Sequence, residues 1–199
     1  MNFTEIVNEV VDITKRGDLA STRIPAAVSA ATLKAHTSDY FYRDLIEIAI
    51  EFDAARNIQT FDPKQVLPTY RQFKYLRRWE GDVNTGEARE FFEHIQIQNA
   101  VDGYGYIKEN VFYMAGSFIQ IRALPEVFRC LFGAYQYPII IEAQYQSWVA
   151  DEFPYAIVNE AARQIFQQTR NRERAQDMRE LVAEEYRNMR ISYLDVVPG

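Results

Sequence analysis

The chain has 199 residues, of which 48% are hydrophobic and 25% charged, so it can bury a sizeable core as one domain or as a core with an added lobe. Its formal net charge of −6 argues against DNA binding as its main function, because DNA-binding surfaces are usually basic. A single cysteine excludes a disulfide framework within the chain. The sequence has no run of about 18 apolar residues, so no membrane span is predicted.

The N-terminal part has the helical period. Apolar residues recur at spacings of three and four, which predicts a helix over residues 1–16. Asn2 followed by Glu5 resembles a capping box at the start of this helix. A second helix is predicted over residues 22–37, so residues 1–43 are expected to form an N-terminal helix pair.

The hydrophobic period changes to two in the middle of the chain. Over residues 45–52, isoleucines alternate with glutamate and alanine, which is typical of a half-buried strand. Further strands are predicted at residues 73–79, 91–97 and 127–132, and a hairpin at residues 111–114 and 118–122. Residues 44–145 are therefore expected to form an antiparallel β-rich domain.

The helical period returns near the C-terminus. Helices are predicted over residues 152–169, capped by Asp151, and over residues 172–190, where many charges leave only a narrow apolar stripe. Residues 146–190 are expected to be a C-terminal helix pair that packs with the N-terminal helices, and residues 191–199 an apolar docking arm. The predicted fold class is α+β, a helical body with an inserted antiparallel β-rich domain and an extended C-terminal arm.

The sequence offers little catalytic or metal-binding chemistry. His36 and His94 are its two histidines, they are far apart, and neither lies in a zinc-binding pattern, so no metal or cofactor is predicted. No serine or cysteine carries a nucleophile signature such as G-x-S-x-G, and Cys130 is expected to be a buried thiol. We therefore expect a protein that is not an enzyme and has no catalytic, cofactor-binding or metal-binding residues.

Two aromatic segments are candidates for contact with a partner or a channel. Lys74 and Arg78 lie within the predicted strand at residues 73–79, where alternation sends both to the face opposite the aromatic side chains. Tyr104 and Tyr106 lie in a glycine-containing segment that predicts a loop between strands.

Several segments resemble the head-to-tail adaptor proteins of bacteriophages. Residues 3–19, FTEIVNEVVDITKRGDL, look like the start of this family, and a second helix follows at residues 24–36 as it does there. DYFYRDL at residues 39–45 is similar to the family's step from helix to first strand, and LPTYR at residues 67–71 also resembles it. SWV at residues 147–149 and FPYAIV at residues 153–158 resemble the entry to the closing helix pair.

The resemblance implies a structural role in the virion. Proteins of this family have a helical body with a β domain and form a ring, expected here as a dodecamer, that joins the portal to the tail or nozzle protein. It also implies that genome DNA passes through the channel without specific binding during ejection, and that no membrane is contacted. The protein is expected in the neck of the virion after assembly in the host cytoplasm. The family's C-terminal arm docks onto the portal, which implies the docking residues Ile191, Tyr193, Leu194, Val196 and Val197.

Two other classes of function stay open. A tail-associated binding module would use the aromatic β domain to bind a glycan or host surface, and Tyr104, Tyr106 and Tyr135 should then surround an exposed concave patch. A cell-wall hydrolase would need two carboxylates in a cleft. The candidate carboxylates are those of Glu47, Glu51, Asp53, Glu90 and Glu93.

Overall fold

A computed structural model describes residues 1–53, 56, 58–80, 86–99, 108–123, 127 and 129–194. These residues form helices and mainly antiparallel sheets, which confirms the α+β class. The helices are α1 (Phe3–Thr14), α2 (Arg23–Thr37), α3 (Pro63–Val66), α4 (Trp148–Glu152), α5 (Pro154–Gln168) and α6 (Arg172–Tyr193). The strands are β1 (Leu45–Glu51), β2 (Ile58–Phe61), β3 (Tyr70–Glu80), β4 (Glu87–Phe91), β5 (Glu93–His94), β6 (Val111–Ala115), β7 (Phe118–Arg122) and β8 (Arg129–Gln136).

The chain divides into two compact units. The helical unit comprises Met1–Asp44 and Tyr137–Gly199, and the β unit comprises Leu45–Gln136. The β unit is therefore an insertion within the sequence of the helical unit. It ends before the predicted limit at residue 145, and residues 137–145 belong to the helical unit.

Local sequence sets both ends of α1. Asn2 Oδ1 accepts a hydrogen bond from the Glu5 backbone N–H at 2.9 Å, and the Glu5 carboxylate accepts one from the Asn2 N–H at 2.8 Å. This pair confirms the predicted capping box. The helix ends at Thr14, before the predicted end at residue 16, because Lys15 adopts a left-handed conformation with φ of 55°.

Helix α5 forms the centre of the helical unit. It packs against α1, α2 and α6, and its Ile157 and Ile165 side chains are completely buried. The facing side of α2 carries Ala27, Ala31 and Ala35, whose small side chains allow the two helices to approach closely. Burial of each large apolar side chain stabilises such a core by about 1.5–3 kcal/mol.

The helix predicted over residues 152–169 is observed as α5, which begins two residues later, and a separate short helix, α4, meets it at Phe153. Phe153 has φ −132° and ψ 53°, outside the helical region, because a residue that precedes proline is sterically disfavoured there. Pro154 occupies the first turn of α5, where its missing N–H leaves no hydrogen bond unmade. The predicted cap Asp151 lies inside α4, which is capped by Ser147.

The described residues of the β unit form two four-stranded sheets with one main core and a smaller buried cluster of Ile95, Val111 and Tyr113. Their strand orders are β1-β8-β3-β4 and β2-β7-β6-β5, and every pair is antiparallel except β5 with β6. Phe132 of β8 lies at the centre, where its ring stacks with Phe73 at 6.2 Å and contacts Phe61 edge-on. Ile119 and Ile121 of β7 complete this core and are completely buried.

The strand predictions succeed where the pairing is local. The hairpin of β6 and β7 is confirmed, with Gly116 at φ 64° in its turn. The single strand predicted at residues 91–97 is wrong, because β4 and β5 belong to different sheets and the buried Phe92 lies between them. The strand predicted at residues 127–132 runs instead over Arg129–Gln136, and neither β2 nor α3 was predicted.

Candidate functional site

Lys74 and Arg78 do not share a face of β3, which corrects the sequence prediction. Arg78 is paired with Cys130 of the core, whereas the Lys74 ammonium lies 5.5 Å from the ring centre of Tyr135 on the other face of β8. The alternation fails because the register with β8 shifts between Phe73 and Tyr75, as at a bulge. Arg78 reaches Glu90 at 2.6 Å, so the two cations do not form one patch.

Of the tyrosines expected around a glycan patch, only Tyr135 lies in the described part of the chain. Tyr104 and Tyr106 lie outside the described residues, as do the arm residues Val196 and Val197. Tyr135 is only 2% exposed and therefore offers no ring to a ligand.

Four of the five candidate carboxylates lie in ion pairs with arginine. Glu51 contacts Arg129 at 2.6 Å, and Glu90 contacts Arg78 at the same distance. Asp53 pairs with Arg56 at 3.1 Å, and Glu47 lies 3.8 Å from Arg77. These pairs give the carboxylates an ordinary role on the sheet surface.

Helix α6 extends through Tyr193, which corrects the predicted start of the C-terminal arm. Ile191 and Tyr193 are the last turn of this helix, so neither belongs to an extended arm. Leu194 follows in extended conformation and forms a β-bridge with Phe41. Only residues after Tyr193 remain candidates for an arm.

An aromatic cluster anchors the end of α6, and we call it the C-terminal junction: Tyr42, Trp148, Phe153, Tyr193 and Leu194. The Tyr193 ring meets those of Trp148, Tyr42 and Phe153 edge-on at 5.3–5.9 Å between centres. Its hydroxyl donates to Glu152, and this hydrogen bond raises the pKa of Tyr193. The junction therefore fixes the direction in which the chain leaves α6.

The C-terminal junction also exposes apolar surface. Tyr42 is 49% exposed and Leu194 is 42% exposed, and Ile191 on the last turn of α6 is 78% exposed. Exposed apolar groups that lie together often mark an interaction surface.

A series of hydrogen-bonded polar side chains is linked to the C-terminal junction through Trp148. Asp44 Oδ1 accepts hydrogen bonds from His36 Nδ1 at 2.6 Å and from the Trp148 indole N–H at 2.7 Å. His36 Nε2 lies 2.9 Å from Ser147 Oγ. Because a carboxylate only accepts, Nδ1 donates to Asp44, and Nε2 of a neutral ring then accepts from the Ser147 hydroxyl.

The order Ser147, His36, Asp44 is also that of a hydrolase triad, but the surroundings favour a structural role. Ser147 Oγ caps α4 by accepting from the Ala150 N–H at 3.1 Å, so one of its two lone pairs is engaged in holding the helix. Ser147 is 8% exposed and His36 only 2%, which leaves a substrate carbonyl no approach to the hydroxyl. This series of hydrogen bonds joins the segment that leads into the β unit, at Asp44, to the segment that follows the β unit, at Ser147.

This series of hydrogen bonds was not predicted from the sequence, because Ser147 and Trp148 lie far along the chain from His36 and Asp44. Ser147 lies 111 positions from His36, and no local spacing signals the contact. Ser147 and Trp148 both lie in the SWV segment, whose resemblance to the adaptor family is the one feature of the sequence that points to this place.

Other kinds of site are not found in the described ranges. No group of three or more histidine, cysteine, aspartate or glutamate side chains there is arranged to hold a metal ion. No helix in the same part of the chain has the length and apolar character needed to cross a bilayer. Cys130 is buried in the β core, and burial raises the pKa of its thiol.

A comparison of the chain with known proteins finds no matching family model and no significant match among curated proteins.

Proposed function

We propose that this chain is a structural head-to-tail adaptor of a bacteriophage virion, forming a ring that joins the portal to the tail and lines the DNA channel. The observation that carries the proposal is the insertion of a β unit into a helical unit built from both ends of the chain. This is the organisation implied by the resemblance. The segments that carry the resemblance lie on α1, on α2, between α2 and β1, at the start of β3, and at the junction of α4 with α5.

The C-terminal junction supports a docking role for the end of the chain. Tyr193 is held by three aromatic rings, and the neighbouring Ile191 and Leu194 expose apolar surface. Because the end of α6 is held in place, fewer residues have to become ordered when the terminal segment binds a partner, and less conformational entropy is lost.

The proposal is tested by mixing the purified chain with the portal protein of the same genome and imaging the product by electron microscopy. A ring of this protein stacked on the portal is the expected result and gives the copy number directly. A chain that stays monomeric and unbound contradicts the proposal.

A deletion of residues 195–199 tests the docking arm separately. It leaves Tyr193 and its packing in place, whereas a deletion from residue 191 would also remove the last turn of α6. We expect loss of portal attachment with an unchanged melting temperature. Full attachment by the shortened chain would exclude the arm as the docking element.

A further inference from the structure

A cavity lined by arginines lies where α5 turns into α6. Its volume is about 560 Å³, and it is lined by Arg163, Gln167, Arg170, Arg172, Ala175, Gln176 and Arg179. No carboxylate of the described residues lines it, although the whole chain carries a net charge of −6. The cavity is therefore a local concentration of positive charge on an acidic protein.

The helical period separates the charges of α6 into two stripes. Arg172 and Arg179 are seven positions apart and lie on the same face, with Ala175 and Gln176 between them. The acidic residues of the first three turns, Glu173, Asp177 and Glu180, recur on the neighbouring stripe. Summed along the sequence these charges nearly cancel, but in space the arginine stripe lines the cavity.

Among the described residues, three of the four arginines have no acidic partner. Arg163 forms a two-pronged salt bridge with Glu160 at 2.7 and 2.9 Å, so its charge is balanced. Arg170, Arg172 and Arg179 have no carboxylate within 4 Å among the described residues. Like charges that share a cavity repel each other, and an anion bound between them would remove this repulsion.

One of the cations also lies at the end of a helix that disfavours it. Arg172 is the first residue of α6, where the helix dipole is positive and acidic residues are favoured, whereas Arg170 follows the C-terminus of α5, where a cation is favoured. Arg170 holds a left-handed conformation with φ of 61°, which directs the chain sharply from α5 into α6. A site that departs from the rules of helix stability is a site where function is expected.

We propose that this arginine cavity binds phosphate groups, supplied either by a free polyphosphate or by the backbone of a nucleic acid. A guanidinium fork matches the two non-bridging oxygens of a phosphate group. Successive phosphates of a polyphosphate or of a nucleic-acid backbone bring several such groups together, so they can meet several arginines at once, whereas a single carboxylate has two oxygens and one charge and can satisfy only one fork. The cavity has room for more than one phosphate group.

The test uses the full chain and tripolyphosphate as the probe, with binding measured by isothermal titration calorimetry at low ionic strength. The double variant Arg172→Gln with Arg179→Gln removes two cavity cations. Its matched control is Arg174→Gln with Arg187→Gln, which removes the same charge from exposed positions of α6 outside the cavity. Circular dichroism melting checks that both variants are folded.

We expect the cavity variant to lose about tenfold or more in affinity, as expected for loss of charge-assisted hydrogen bonds, and the control to stay within about threefold. Equal losses in both variants would show that only overall charge matters and would overturn the proposal. Failure of tripolyphosphate to bind the wild-type chain would also overturn it.

A competition experiment then identifies the source of the phosphate. Short single-stranded DNA that displaces tripolyphosphate, and that loses affinity in the cavity variant, assigns the site to a nucleic-acid backbone. Tripolyphosphate binding without competition by DNA assigns it to a free polyphosphate. A glutamate-rich peptide that binds in place of both would contradict the choice of phosphate. The site does not depend on the adaptor role, because calorimetry with the isolated chain requires neither portal nor ring.

Discussion

His36 Nδ1 lies 2.6 Å from Asp44 Oδ1, and the two side chains are only 2% and 3% exposed. The same oxygen accepts the Trp148 indole N–H, so one carboxylate satisfies two buried donors from different parts of the chain. Buried donors that lose their acceptor are costly, and this pair therefore has a clear energetic consequence.

Replacing Asp44 with alanine should lower the free energy of unfolding by about 3–5 kcal/mol, because the buried His36 and the partly buried Trp148 both lose their acceptor. Chemical denaturation of the purified variant measures this change. Asp12→Ala, which alters an exposed aspartate on α1, is the control and should change stability by less than about 0.5 kcal/mol. Similar losses in both variants would contradict the role of Asp44.

Replacing Ser147 with alanine should lower the free energy of unfolding by about 0.5–2 kcal/mol through loss of the cap on α4. The exposed Ser117→Ala is its matched control and should be close to neutral. A fluorophosphonate probe, which labels activated serines, should leave the wild-type chain unlabelled. Labelling that disappears in Ser147→Ala would instead identify a catalytic serine.

The Glu160 carboxylate should make stability depend on pH. Burial acts to raise its pKa, but hydrogen bonds from Arg163 and Lys34 outweigh burial and hold the pKa below the ordinary value. The stabilisation is therefore complete above the unfolded pKa of about 4.3 and is lost as the pH falls through the folded pKa.

Glu160→Gln should accordingly lower stability by about 1–3 kcal/mol at pH 7 and by less in acid. Denaturation curves at pH 7 and pH 3 for both proteins measure the difference. A difference that stays constant over this range would show that the charge of Glu160 does not contribute.

Gly133 provides a test of packing in the β unit. A Cβ at this position would lie 2.5 Å from the ring of Tyr75, whose hydroxyl donates to Glu47 at 3.0 Å. Gly133→Ala should therefore lower the free energy of unfolding by about 1–3 kcal/mol. Gly17→Ala, where no atom lies within 4 Å of the new Cβ, is the control.

Combining Gly133→Ala with Tyr75→Ala separates steric conflict from other effects. The double variant should lose less stability than the sum of the two single variants, because removing the ring makes room for the new methyl group. Strictly additive losses would rule out the clash as the cause.

The range of an interaction along the chain decides whether the sequence predicts it. The capping box of Asn2 and Glu5, the alternation of β1 and the hairpin of β6 and β7 were all predicted, because each depends on residues close together in the chain. The predicted break between helical and β-rich segments followed from a change of period, which is also local.

Only the tertiary structure decided the contacts that join distant segments. No spacing in the sequence brings Ser147 to His36, and no pattern shows that Phe92 separates strands of two sheets. The sequence by itself determined the two charge stripes of α6, since they follow from the helical period. Which stripe lines the cavity was decided by the packing of α6 on α5, because a helix buries the face whose apolar side chains exclude the most water, and the arginines beside that face follow it.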